Sequence, residues 1–135
     1  MNVVRLAALL LIVPGTAQAL AADGPGFAGE YVMTGKGYDD ADTAYAGTCS
    51  IKEAGKAYAV SCFNSDTRHT YVGKGLAAGE VFSIFIGDAL KGDHNEAFAG
   101  EYLATYRRGA DGVLTGAWVH ATSSAAGAET LVPAK

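Results

Sequence analysis

The two cysteines of this 135-residue chain, Cys49 and Cys62, fall within one short stretch, "GTCSIKEAGKAYAVSC". A cysteine pair can hold a metal, run dithiol redox chemistry or form a structural disulfide. Structural zinc sites and redox motifs both use closely spaced C-x-x-C pairs, which this stretch lacks. A disulfide is the reading that remains. Gly55-Lys56 lies between two alternating runs, and Gly at the first central position suits a type II′ two-residue hairpin. That turn sets Ala54 opposite Ala57, Glu53 opposite Tyr58, Ile51 opposite Val60 and Cys49 opposite Cys62. The cysteines then occupy a non-hydrogen-bonded pair with Cα atoms about 4.5 Å apart, at the short end of the disulfide range. They share a face with Ile51, Tyr58 and Val60, the more apolar face of the hairpin.

Other residues with chemical potential are scattered. His69, His94 and His120 fall in separate segments, and no G-x-S-x-G, H-E-x-x-H or EF-hand spacing accompanies them. Asp88, Asp93, His94, Asn95 and Glu96 cluster in one polar stretch, and Asp39, Asp40 and Asp42 in another. Both read as solvated acidic loops rather than cation sites. No catalytic residue, metal site or cofactor is expected, and the chain reads as a non-enzyme. The side chains best suited to a ligand are aromatic. Trp118, the single tryptophan, shares a strand face with Leu114, Gly116 and His120. Tyr102 and Tyr106 share another face, and Tyr58 and Tyr71 flank "NSDT". Trp118 could floor a cavity, His120 could hydrogen-bond a ligand, and the tyrosines could line the walls. The competing reading is that all six pack a core.

The elements that would position these groups follow from period and punctuation. Residues 1–21 read as a secretory signal peptide: Arg5, an apolar run from Leu6 to Val13, a Pro14-Gly15 break and A-x-A sites ending at Ala19 and Ala21. The apolar run is too short for a membrane span. No cysteine lies near the cleavage site, so a lipid anchor is not expected. A short leader of this form is bacterial in type, which implies a periplasmic or secreted protein in an oxidising compartment, as the disulfide requires. Residues 22–135 are then a single domain. Its formal charge is −5, the chain's −4 less Arg5. That acidity gives no reason to bind nucleic acid, and Arg107-Arg108 alone makes no basic patch.

Within the domain, all of the chain's 18 glycines except Gly15 punctuate alternating runs, the mark of many short antiparallel strands. Eight are expected, near 29–37, 45–53, 57–63, 68–75, 80–87, 100–108, 113–121 and 128–133. "AAG" (77–79) and "GADG" (109–112) read as turns, and 88–98 as the longest connection. A meander of eight such strands hides its apolar face and loses its open edges by closing into an up-and-down barrel. A barrel of this size is just filled by side chains or holds one small ligand.

The segments "YAGTCSIKEAGKAYAVSC", "YVGKGLAAGEVFSI", "YRRGADGVLTGAW" and "GAETLVP" resemble successive strand modules of small exported bacterial barrels of the lipocalin- or avidin-like (calycin-like) kind. The resemblance covers most of the domain and rests on turn glycines and core aromatics. Gly116-Ala117-Trp118 lies late, where lipocalins carry an early G-x-W, and the polar set an avidin uses for biotin is absent. No ligand residues therefore carry over. The resemblance implies binding in or at the mouth of a barrel, with a small apolar or amphipathic molecule as partner. A lumen of roughly 300 Å³ or more would mark such a carrier. The alternative is a protein-binding module, an envelope inhibitor or adhesin, that uses the loops at 38–44 and 88–98. An enzyme is the third reading.

Overall fold

The computed structural model of the chain describes residues 26–37, 43–90 and 102–135. The expected signal peptide and most of the two acidic loops lie outside the described residues. The strands are β1 (Gly29–Gly37), β2 (Ala44–Ala54), β3 (Ala57–Asn64), β4 (His69–Ala78), β5 (Val81–Leu90), β6 (Tyr102–Arg108), β7 (Leu114–His120) and β8 (Ala126–Pro133). Each pairs antiparallel with the next, and β8 closes on β1. The expected eight-stranded meander barrel is therefore the fold. Among the described residues no helix is long and apolar enough to cross a membrane.

The β2–β3 hairpin has the register that its turn dictates, with Cys49 opposite Cys62, Ile51 opposite Val60 and Ala54 opposite Ala57. Gly55 has φ +67°, the positive value required at the first central position. Cys49 and Cys62 form a disulfide with their Cα atoms 4.0 Å apart. Closing the chain between them removes freedom from the unfolded state.

Two boundaries differ from expectation. Ala77 and Ala78 are not a turn but the end of β4, paired with Phe82 and Val81. The turn contracts to Gly79-Glu80, with Gly79 at φ +59°, the same two-residue solution as Gly55-Lys56. At the other end β5 continues to Leu90 and so takes up the first residues assigned to the longest connection.

The two ends of the barrel are built differently. The turns at 55–56, 79–80 and 109–113 mark one end, called the base here. The turns at 65–68 and 121–125, with the C-terminal ends of β1 and β5, mark the mouth. Phe27, just before β1, folds under the base. Its ring stacks on Phe82 with centroids 4.8 Å apart, and its carbonyl accepts the Tyr31 hydroxyl at 2.8 Å. Ile51, Phe82, Leu114 and Leu131 are fully buried. Arg108 lies 4.3 Å from the Phe27 ring centroid and pairs with Glu80 at 2.8 Å. Its guanidinium thus covers an aromatic face while its charge is answered at the rim. The base is a packed plug.

Candidate functional site

Above the plug the lumen opens into a cavity of about 210 Å³ toward the mouth. Met33, Ile84, Ile86, Ala104 and Cys62 supply apolar wall. Tyr45, Tyr71, Tyr102, Tyr106 and Trp118 supply rings, and Asn64 and Glu129 supply polar atoms. The apolar and aromatic character follows from the inward phase of each strand, since one face of every strand must fill the barrel.

The central feature is one row of residues around the wall. Gly35 on β1 stands opposite Tyr45 on β2 and opposite Glu129 on β8. Glu129 stands opposite Gly116 on β7, and Gly116 opposite Tyr106 on β6. The row reads Tyr45, Gly35, Glu129, Gly116, Tyr106. Each glycine leaves an opening over which the neighbouring tyrosine lies. A Cβ at Gly35 would collide with the hydroxyl end of Tyr45, and one at Gly116 would lie 2.8 Å from Cδ1 of Tyr106 and still closer to the Thr105 carbonyl oxygen. The two hydroxyls thereby reach the same carboxylate from opposite sides. Tyr45 donates to Oε2 of Glu129 at 2.6 Å, and Tyr106 donates to Oε1 in a still shorter bond. The next row repeats the device: Trp118 is opposite Gly127 and occupies the space a side chain there would need.

Burial sets the electrostatics. Loss of solvent raises the Glu129 pKa above the ordinary carboxyl value, and the hydroxyls of Tyr106 and Tyr45 oppose that shift only in part. The Tyr45 and Tyr106 hydroxyls are pushed up by burial first and by the adjacent Glu129 charge second. Tyr71 and Tyr102 are raised chiefly by burial. The phenols therefore serve as protonated donors at neutral pH. The Trp118 N–H lies near enough to the Tyr45 hydroxyl to favour its ionised form, but it makes no hydrogen bond with a described residue.

A stability signature follows. Folded Glu129 holds its proton more tightly than unfolded Glu129, whose reference value is 4.5. Its contribution is thus fully present below that value and is lost as pH rises through the folded pKa. Glu129→Gln keeps the shape and a hydrogen-bonding end group but does not titrate. In urea unfolding at pH 5 and pH 8, wild type should lose stability relative to Glu129→Gln as pH rises. A relative gain at pH 8 would contradict the raised carboxyl.

Four of the residues selected from sequence, Trp118, Tyr71, Tyr102 and Tyr106, meet around the cavity. Tyr102 packs edge-on against both Tyr71 and Trp118, with centroids 5.8 Å apart in each case. His120 sits at the rim, its ring 4.8 Å from that of Tyr102. Its Nδ1 accepts the Thr122 N–H at 3.3 Å, so it organises the 121–125 turn. Tyr58 lies at the base, edge-on to Phe82 at 5.3 Å, away from the cavity. Sequence reasoning missed Glu129 and Tyr45. The available signal was phase: Gly127, Glu129 and Leu131 alternate in one direction along β8, so an inward Leu131 implies an inward Glu129.

At the mouth, Asn64 is buried. Its Oδ1 accepts the N–H groups of Asp66 and Thr67 at 2.9 and 3.1 Å, and Asp66 in turn accepts the Ala46 N–H at 2.8 Å. This fixes the 65–68 turn beside the opening. Among the described residues no three His, Cys, Asp or Glu side chains gather as a metal site.

Fold and cavity together define a small, closed, antiparallel barrel with a plugged base and an aromatic, carboxylate-bearing upper lumen. No family model matches the chain, and no curated protein matches it.

Proposed function

We propose that this chain is an exported, non-enzymatic binding protein of the lipocalin- or avidin-like kind that holds one small amphipathic molecule in the upper lumen. The cavity above the plug carries this reading: apolar and aromatic walls, with a few polar atoms converging on one side, are the usual make-up of a small-molecule site. At about 210 Å³ the cavity does not reach the roughly 300 Å³ that would mark a carrier, so the reading rests on the character of the lining and any ligand must be small. A dry cavity of about 150 Å³ accommodates benzene, so 210 Å³ suits one ring with a short tail.

Export is part of the reading. The Cys49–Cys62 disulfide suits an oxidising compartment such as a bacterial periplasm or the medium. N-terminal sequencing of envelope or secreted material should find a first residue within about three positions of Ala22. A retained Met1 would remove this part of the proposal.

Trp118 gives the binding test directly, because it is the only tryptophan and lines the cavity. Single-ring aromatic compounds with short polar tails should shift its emission saturably. Unchanged emission across such a panel would move the function to protein recognition through the loops at 38–44 and 88–98.

A further inference from the structure

The cavity has an uneven distribution of charge. Glu129 places a carboxylate in its wall, and both oxygens accept hydrogen bonds from neutral phenols. With one phenol O–H donated to each oxygen, both oxygens act as acceptors, the arrangement that suits an ionised carboxylate. No lysine, arginine or histidine pairs with Glu129 among the described residues, and the shifts in its pKa come from burial and from the two tyrosines. Arg108, the charged side chain packed against the core, lies at the base under Phe27. An ionised carboxylate buried without a cation is costly. Two neutral donors reduce that cost without cancelling the charge.

The surrounding walls are aromatic. Tyr71, Tyr102 and Trp118 line the same cavity as Glu129, in a chain of edge-to-face contacts that orients their rings at steep angles to one another. Ring faces attract cations, most strongly where water is excluded. Each carboxylate oxygen also keeps a second lone pair beyond the one used by its tyrosine. The volume allows one aromatic ring and a tail of two or three atoms.

We infer that the ligand is a small organic cation, an arylalkyl ammonium compound, with its ammonium group on Glu129 between the Tyr45 and Tyr106 hydroxyls and its ring among Tyr71, Tyr102, Trp118 and the aliphatic wall. This inference rests on the lumen-binding reading and adds the ligand's charge and shape. The two tyrosines hold the carboxylate in place, so the cation meets a fixed acceptor rather than a flexible one. The glycines at 35 and 116 are part of the device, since any side chain there would move a tyrosine off Glu129.

The test uses a matched pair, 2-phenylethylamine (protonated at neutral pH) and 2-phenylethanol, titrated into the disulfide-bonded protein by calorimetry and by Trp118 emission. The ammonium compound should bind with a Kd lower by roughly tenfold or more, the difference expected for a charge-assisted bond. In Glu129→Gln that preference should vanish. If the alcohol binds wild type as well as the amine, the charge inference falls and the lumen-binding reading stands. If neither compound binds, both fall. The wild-type comparison decides the question even if Glu129→Gln fails to fold.

Discussion

Phe82→Ala is expected to lower the stability of the barrel by about 3–5 kcal/mol, the usual cost of truncating a fully buried aromatic ring. Phe82 is 0 % exposed and lies over Gly75, where a Cβ would meet its ring. It also contacts both Phe27 and Tyr58. Phe27 is anchored, by the Tyr31 bond to its carbonyl and by Arg108 against its ring, so the space cannot collapse cheaply. Urea unfolding measures the loss. Affinity for any lumen ligand should change little, because the plug lies below the cavity. A loss under about 1 kcal/mol would show that the base relaxes around the missing ring and is not the rigid floor described above.

Cys62→Ser is expected to cost about 2–5 kcal/mol, the range for a native disulfide in a small domain. It opens the chain closure with Cys49 and leaves a thiol buried beside the Met33 sulfur, 3.6 Å away. Thiol labelling of wild type purified without reductant should find no reactive cysteine, and urea unfolding of the variant should show the loss. Two free thiols in that material would overturn the disulfide as a native feature. An intact disulfide with no stability loss in the variant would mean that the hairpin is already ordered in the unfolded chain.

The parts of this molecule that could be read from sequence are those fixed locally. Gly55 dictates one turn, that turn dictates the β2–β3 register, and the register brings the two cysteines together. The shared inward face of Tyr102 and Tyr106 follows from a period of two. Height along the barrel axis is a different matter, since alternation specifies a face and not a level. Tyr58 and Tyr71 both point inward from adjacent strands, yet Tyr58 belongs to the plug and Tyr71 to the cavity. Strand pairing across β8 and β1 decides the rest. Glu129 receives two tyrosine hydroxyls only because Gly35, Gly116, Tyr45 and Tyr106, from four other strands, stand in its row. The phase of β8 ties Glu129 to the face of Leu131, but the sequence does not say that this face is the inward one, because Val132 on the other face matches Leu131. Arg108 illustrates the same limit. As one of two adjacent cations it suggests nothing, whereas in the fold it seals the base over Phe27.

The outer wall provides the sharpest contrast for testing the lumen site. Phe85, Leu103 and Val119 are exposed and neighbours across β5, β6 and β7, so a hydrophobic compound has an outside surface to which it could adhere. Intermolecular NOEs between 2-phenylethylamine and methyl-labelled protein separate the two sites directly. A lumen ligand should show contacts to the methyl groups of Ile84 and Ile86 and to the Trp118 ring, with none to Leu103 or Val119. Contacts confined to Leu103 and Val119 would place the compound on the outside of the barrel and contradict the lumen as the binding site.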